Sequence, residues 1–115
     1  MTENKRIFKR LEIKINVRYR MMVDNQLSQE YLSIAKNLSA GGLSLLTNQK
    51  FEKNSILRLS IELPDSKDPV ECLSRIVRID KSQDGSCYDA AICFLDLSGK
   101  DRLKLEHFIS KETVK

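Results

Sequence analysis

Residues 13–23, "IKINVRYRMMV", alternate apolar and polar side chains almost throughout. Ile13, Ile15, Val17, Tyr19, Met21 and Val23 fall on one side, and Lys14, Asn16, Arg18 and Arg20 on the other. Side chains of an extended strand point to opposite faces in turn, so this period of two predicts a strand with one buried face. Working outward, "DNQ" at 24–26 supplies turn residues. A second strand follows over 30–38, "EYLSIAKNL", and a short third, "LSLLT", over 43–47. The fourth, 56–63, alternates again, with Leu57, Leu59, Ile61 and Leu63 against Arg58, Ser60 and Glu62. Pro64 and Pro69 bracket a loop, because proline fits poorly inside a paired strand. The fifth strand, 70–79, and the sixth, 88–95, are joined by the hairpin loop "DKSQDGS".

There the strands stop. Ser98 is placed to cap a helix over 98–111, with Asp101 in its favourable first turn. Leu105, Phe108 and Ile109 form a narrow apolar stripe, and Leu103 falls off it. The expected fold is all-β: a six-stranded antiparallel β-barrel with one C-terminal α-helix, closure hiding the edges that an open sheet exposes.

A chain of 115 residues fits one domain over 1–115, and 41% apolar content is enough for a compact core. No apolar stretch is long enough to span a bilayer, and "MTENKRIFKR" lacks the apolar core of a signal peptide, so the chain is expected in the cytosol. Cys72, Cys87 and Cys93 form no CxxC pair, and the lone histidine, His107, is far from them in sequence; they read as reduced thiols, with no metal or cofactor implied. The net charge of +4 is concentrated early. Before residue 21, Lys5, Arg6, Lys9, Arg10, Lys14, Arg18 and Arg20 face only Glu3 and Glu12. Residues 1–12 thus read as a flexible basic arm ahead of a barrel over 13–96, and such an arm suits an anionic partner.

Two short stretches carry the chemistry. In "RIFKR", Arg6 and Arg10 lie four apart. A guanidinium is a planar fork that bonds a phosphate, a carboxylate or a guanine edge with two parallel hydrogen bonds. In "NLSAGG", Asn37 and Ser39 can bond a ligand or pin the following turn, while Gly41 and Gly42 allow positive φ and leave no Cβ in the way. Catalysis has little support: His107 has no evident partner, and no phosphate loop or nucleophile motif is present. No enzyme is expected.

Together these stretches resemble the PilZ domain family. "RIFKR" matches its RxxxR motif, and "NLSAGG" its [D/N]xSxxG motif through Asn37, Ser39 and Gly42. "INVRYR", "SRIVRI" and "CFLDLSGKDRLKLEHFI" resemble its first strand, a later central strand, and its last strand with the closing helix. The resemblance runs from about residue 5 to residue 110; many members have glycine near Ala91. It implies a six-stranded barrel that binds the bacterial second messenger cyclic di-GMP. Arg6 and Arg10 would clamp guanine bases and phosphates, and Lys5 would add a contact. Asn37 and Ser39 would read a base or backbone oxygen, while Gly41 and Gly42 permit close approach. Arg75 and Arg78 are further candidates that strand pairing must decide between. The implied role is an adaptor whose arm becomes ordered on the messenger and which signals to a separate effector protein.

Two other readings compete. A small basic barrel can bind nucleic acid, but aromatic residues are only 6% of the chain and no cluster offers base stacking. A PilZ-like adaptor working by protein contacts alone ranks lower, because both arginines and the second motif are kept.

Overall fold

The computed structural model describes residues 11–113. Its strands are β1 (Leu11–Val23), β2 (Gln26–Leu27), β3 (Tyr31–Leu38), β4 (Gly42–Thr47), β5 (Ile56–Ile61), β6 (Val70–Lys81) and β7 (Tyr88–Phe94). The helix α1 (Gly99–Thr113) follows. Six strands close a barrel in the order β1-β3-β4-β7-β6-β5, and β5 returns to β1. Every neighbouring pair is antiparallel. The expected barrel and closing helix are both present.

β1 makes the closure possible because its length gives it two partners. Leu11 to Tyr19 pair with β3, while Val17 to Met21 pair with β5, from Val17↔Ile61 to Met21↔Leu57. Ile15, Val17 and Tyr19 are buried and Lys14, Asn16 and Arg18 exposed, as the alternation requires. Val23 departs from it: on the apolar side of the pattern, it is 55% exposed. Here β1 outruns the barrel into a hairpin with β2, pairing Met22↔Leu27 and Val23↔Gln26. The turn is Asp24-Asn25, both at positive φ (51° and 63°), as a two-residue hairpin loop demands. Gln26, expected in the turn, opens β2 instead.

The start of β1 also differs from the alternation, which begins at Ile13. Glu12 pairs with Asn37 and Ile15 with Ala35, so two residues of β1 oppose one of β3. That bulge breaks the phase on which a sequence pattern depends, and hides the first turn of pairing from it.

The barrel interior is filled by Val17, Leu45, Leu57, Leu59, Ile61, Val70, Ile76 and Ala90. Tyr19 carries its polar end inside, its hydroxyl 2.9 Å from the Thr47 Oγ1. Its ring stacks on Tyr31 at 5.4 Å and meets Phe51 edge-on at 5.6 Å. Phe51 lies in a loop with no periodic signal, yet is only 6% exposed. Burying such a ring is worth about 1.5–3 kcal/mol.

α1 begins as the cap residues dictate. The Ser98 Oγ accepts from the Asp101 N–H at 3.1 Å, and the Ser98 carbonyl from the Arg102 N–H at 2.8 Å. Leu105, Phe108 and Ile109 are buried against the barrel, while Leu103 is 67% exposed. Lys111 forms an ion pair with Asp65 at 2.9 Å, tying the helix to the loop after β5.

Candidate ligand-binding site

Asn37 owes its orientation to a bulge. Ala35 pairs with Leu45 and Asn37 with Ser44, which leaves Lys36 as an extra residue in β3. Strict alternation from the buried Ala35 would bury Asn37 and expose Leu38. The inserted residue reverses this: Leu38 is 1% exposed and Asn37 is half-buried on the outer face. The Asn37 side chain makes no hydrogen bond to another described residue.

Beyond Leu38 the chain turns tightly. The Ser39 N–H donates to the Gly42 carbonyl at 2.9 Å. The Ser39 Oγ accepts from the Gly41 N–H at 3.2 Å and donates to the Gly42 carbonyl at 3.3 Å. Of the two roles open to Ser39, this geometry fills the turn-pinning one. The loop is held from two further elements. The Phe94 N–H of β7 donates to the Gly41 carbonyl at 3.0 Å, and the Arg102 Nη1 of α1 to the Ala40 carbonyl at 3.2 Å. Arg102 had no sequence signal, since nothing local links α1 to a turn more than sixty residues earlier.

The freedom to adopt positive φ is not what the paired glycines supply. Among the described residues, the only glycine at positive φ is Gly85, in the β6–β7 loop. Gly42 is needed for space: a Cβ there would lie 2.0 Å from the Ile92 carbonyl oxygen. The close approach at Gly42 is therefore made by β7, the neighbouring strand of the barrel.

Strand register places the outward residues in transverse rows. One row runs Asn37–Ser44–Ala91–Arg78 across β3, β4, β7 and β6. The next runs Gly42–Cys93–Arg75 across β4, β7 and β6. A third bulge, between Ile76 and Arg78, lets both arginines face outward on one strand. On the far side of the first row, Asp80 of β6 pairs with Asp89 of β7. Each like charge has its own cation: Lys36 Nζ lies 2.5 Å from Asp89, and Arg78 Nε 3.1 Å from Asp80.

Of the site residues expected from sequence, Asn37, Ser39, Gly41 and Gly42 are thus gathered on one rim of the barrel. Lys5, Arg6 and Arg10 lie outside the described residues. Leu11, the first described residue, is paired with Leu38, so the chain joins the sheet directly beside the Ser39 turn. A cleft of about 470 Å³ elsewhere, lined by Lys14, Asn16, Glu62 and Lys67 among others, shares no residue with this rim. Among the described residues no cluster of His, Cys, Asp and Glu could hold a metal ion, and no helix is long and apolar enough to cross a membrane.

A family model described as the PilZ domain matches residues 4–111. No curated protein matches the chain significantly. Among solved structures, the fold is similar to the inhibitor of motility MotI/DgrA of Bacillus subtilis, with a TM-score of 0.82 at 19% identity. That match covers 97% of this chain and 53% of the other, so the chain spans about half the length of that relative. It is also similar to the PilZ domain with c-di-GMP of YcgR from Escherichia coli, at TM-score 0.67 and 13% identity, covering 94% of this chain and 91% of that one. MrkH of K. pneumonia in complex with c-di-GMP gives TM-score 0.71 at 14% identity, over 97% of this chain and 53% of that one.

Proposed function

The chain belongs to the PilZ domain family, and from that premise we propose that it is a receptor for cyclic di-GMP. One observation carries the reading: the first described residue after the arginine motif pairs with the residue before Ser39 of the second motif. Leu11, one residue after Arg10, lies opposite Leu38, one residue before Ser39. β1 therefore begins beside the rim where the Asn37 amide makes no hydrogen bond to another described residue, and this supports a shared role for Arg6, Arg10 and Asn37. The solved YcgR domain and MrkH, which have the same fold, hold c-di-GMP.

The roles divide by chemistry. The guanidinium forks of Arg6 and Arg10 clamp guanine edges and phosphates, and Lys5 adds charge. Asn37 bonds the ligand with its side-chain amide. Ser39 fixes the turn that holds Asn37 and the Gly41–Gly42 backbone in place, and Gly42 keeps β4 close against β7. Leu11 and Glu12 already belong to β1, so the basic arm is residues 1–10; the ligand draws it onto the barrel rim, and the changed surface is read by a separate effector protein. The chain acts in the cytosol as a binding module, without catalysis. The messenger shifts the arm only as far as it prefers the ordered state.

Titration calorimetry of cyclic di-GMP into the protein, beside an Arg6→Ala, Arg10→Ala double variant, tests the receptor reading. Hydrogen exchange of residues 1–10 with and without ligand tests the arm: protection on binding is expected, and unchanged exchange contradicts arm ordering.

A further inference from the structure

We propose that the cleft between the start of β1 and the loop after β5 docks an extended segment of a partner protein, one that alternates acidic and apolar side chains. The cleft is an open seam in the barrel wall. β1 pairs with β3 from Leu11 onward, but its pairing with β5 begins only at Val17, opposite Ile61. One further bond, from the Glu62 N–H to the Asn16 carbonyl at 3.1 Å, carries that contact just past the end of β5. Before Asn16, among the described residues, no strand pairs with this side of β1. β5 does not follow it, because Pro64 has no N–H for the ladder and the chain loops away until β6 starts at Val70.

An unpaired strand edge is a template for another strand. The gap beside this one is the cleft of about 470 Å³, walled by residues 14–16 of β1 and by the 62–69 loop. That loop is braced against α1 by the Lys111–Asp65 ion pair at 2.9 Å and by the Lys104 Nζ, 3.4 Å from the Asp68 carbonyl. Side chains fix the kind of occupant. Ile15 and Leu63, each 3% exposed, mark the inner side, and a strand laid along β1 turns every second side chain toward them. Lys14 and Lys67 line the cleft from exposed positions, and neither has an ion-pair partner among the described residues. Glu62, the one carboxylate in the lining, is already engaged by Arg18 at 2.8 Å. The outward side of the seam is therefore positive and suits acidic side chains. Residues 1–10 are a poor occupant, since Lys5, Arg6, Lys9 and Arg10 outnumber Glu3 and repel the two lysines. The cleft shares no residue with the Ser39 rim, so this inference stands apart from the receptor reading.

The experiment is fluorescence anisotropy of a capped, fluorescein-labelled peptide of alternating glutamate and valine, titrated with the full chain. A lysine–valine peptide and a glutamate–valine peptide N-methylated at every residue are the controls. The protein variants are Lys14→Glu with Lys67→Glu, and, for the same change in net charge away from the cleft, Lys50→Glu with Lys53→Glu. The parent should bind the acidic peptide, and the first variant about tenfold more weakly or worse, since reversal sets like charges against one another. The second variant should stay within about twofold of the parent, and the N-methylated peptide, which cannot pair with an edge, should not bind. No binding by the folded parent, or equal weakening in both variants, overturns the proposal. Undiminished binding of the N-methylated peptide overturns strand addition. Preference for the lysine peptide would give the cleft to a basic segment such as residues 1–10, and self-association lost only in the Lys14, Lys67 variant would give it to a second copy; either result refutes the acidic partner.

Discussion

Replacing Gly42 by alanine places a methyl carbon 2.0 Å from the Ile92 carbonyl oxygen, 3.1 Å from its carbon and 3.3 Å from the Cys93 Cα. All three are backbone atoms of the adjacent strand, so no side chain can swing aside. Ordinary contact begins near 3.4 Å, which requires β4 and β7 to part by about 1.4 Å at this point. A 3.0 Å hydrogen bond such as Phe94 N–H to Gly41 O does not survive that separation. Overpacking of this kind costs about 1–3 kcal/mol, and each lost hydrogen bond about 1 kcal/mol more. The expected loss is therefore about 3 kcal/mol, a fall in Tm of roughly 10–15 °C for a domain of this size. Gly99 supplies the control, because a Cβ there meets nothing within 4 Å. Gly99→Ala in the first turn of α1 should leave stability unchanged or raise it by about 0.5–1 kcal/mol. Urea unfolding of both variants, followed by circular dichroism, measures the contrast. If Gly42→Ala costs less than about 0.5 kcal/mol, the close approach of β7 is not what requires glycine there.

Three further outcomes follow from the same structure. Burial raises the Tyr19 phenol pKa, outweighing the opposing effect of its hydrogen bond to Thr47. Its contribution to stability is complete below the unfolded phenol pKa near 10 and is lost as pH rises through the higher folded value. Tyr19→Phe should thus lower stability by about 1 kcal/mol at pH 7 and flatten the decline above pH 10, checked by denaturant midpoints across that range. The Cys72 thiol, pushed up to about 12 by burial and then by Asp96 and Asp101, should stay unreactive to a disulfide reagent until the barrel unfolds. Cys87 and Cys93, which are partly exposed, should react in the native state, so counting thiols with and without urea separates them. Finally, a two-phosphate ligand gives a shallow salt dependence, with a log–log slope no steeper than about −2; a slope of −5 or beyond would favour nucleic acid.

How much of this was legible beforehand depends on phase. Strands that keep a strict period of two, such as 15–19 and 57–61, could be read directly, because one face is wholly buried. Ser98 and the stripe Leu105, Phe108 and Ile109 located the helix by local chemistry alone. The bulges at Lys36 and between Ile76 and Arg78 could not be read, since an extra residue leaves no mark except a shift in alternation. For that reason Arg75 and Arg78 could not be placed from sequence, although both were visible as candidates. The pair Gly41–Gly42 stood out in the sequence, but the demand for space at Gly42 that β7 makes, fifty residues away along the chain, did not. Phe51 and Arg102 matter through partners distant along the chain, Tyr19 and Ala40, and local pattern is silent on both.

The central claim is that cyclic di-GMP binds where the arginine motif meets the Asn37 rim. Titration calorimetry of the parent protein beside the Arg6→Ala, Arg10→Ala and Asn37→Ala variants tests it most directly. Saturable binding by the parent is expected, abolished in the first two and weakened about tenfold in the third. A folded parent that takes up no heat from the ligand, or variants that bind as the parent does, would contradict it.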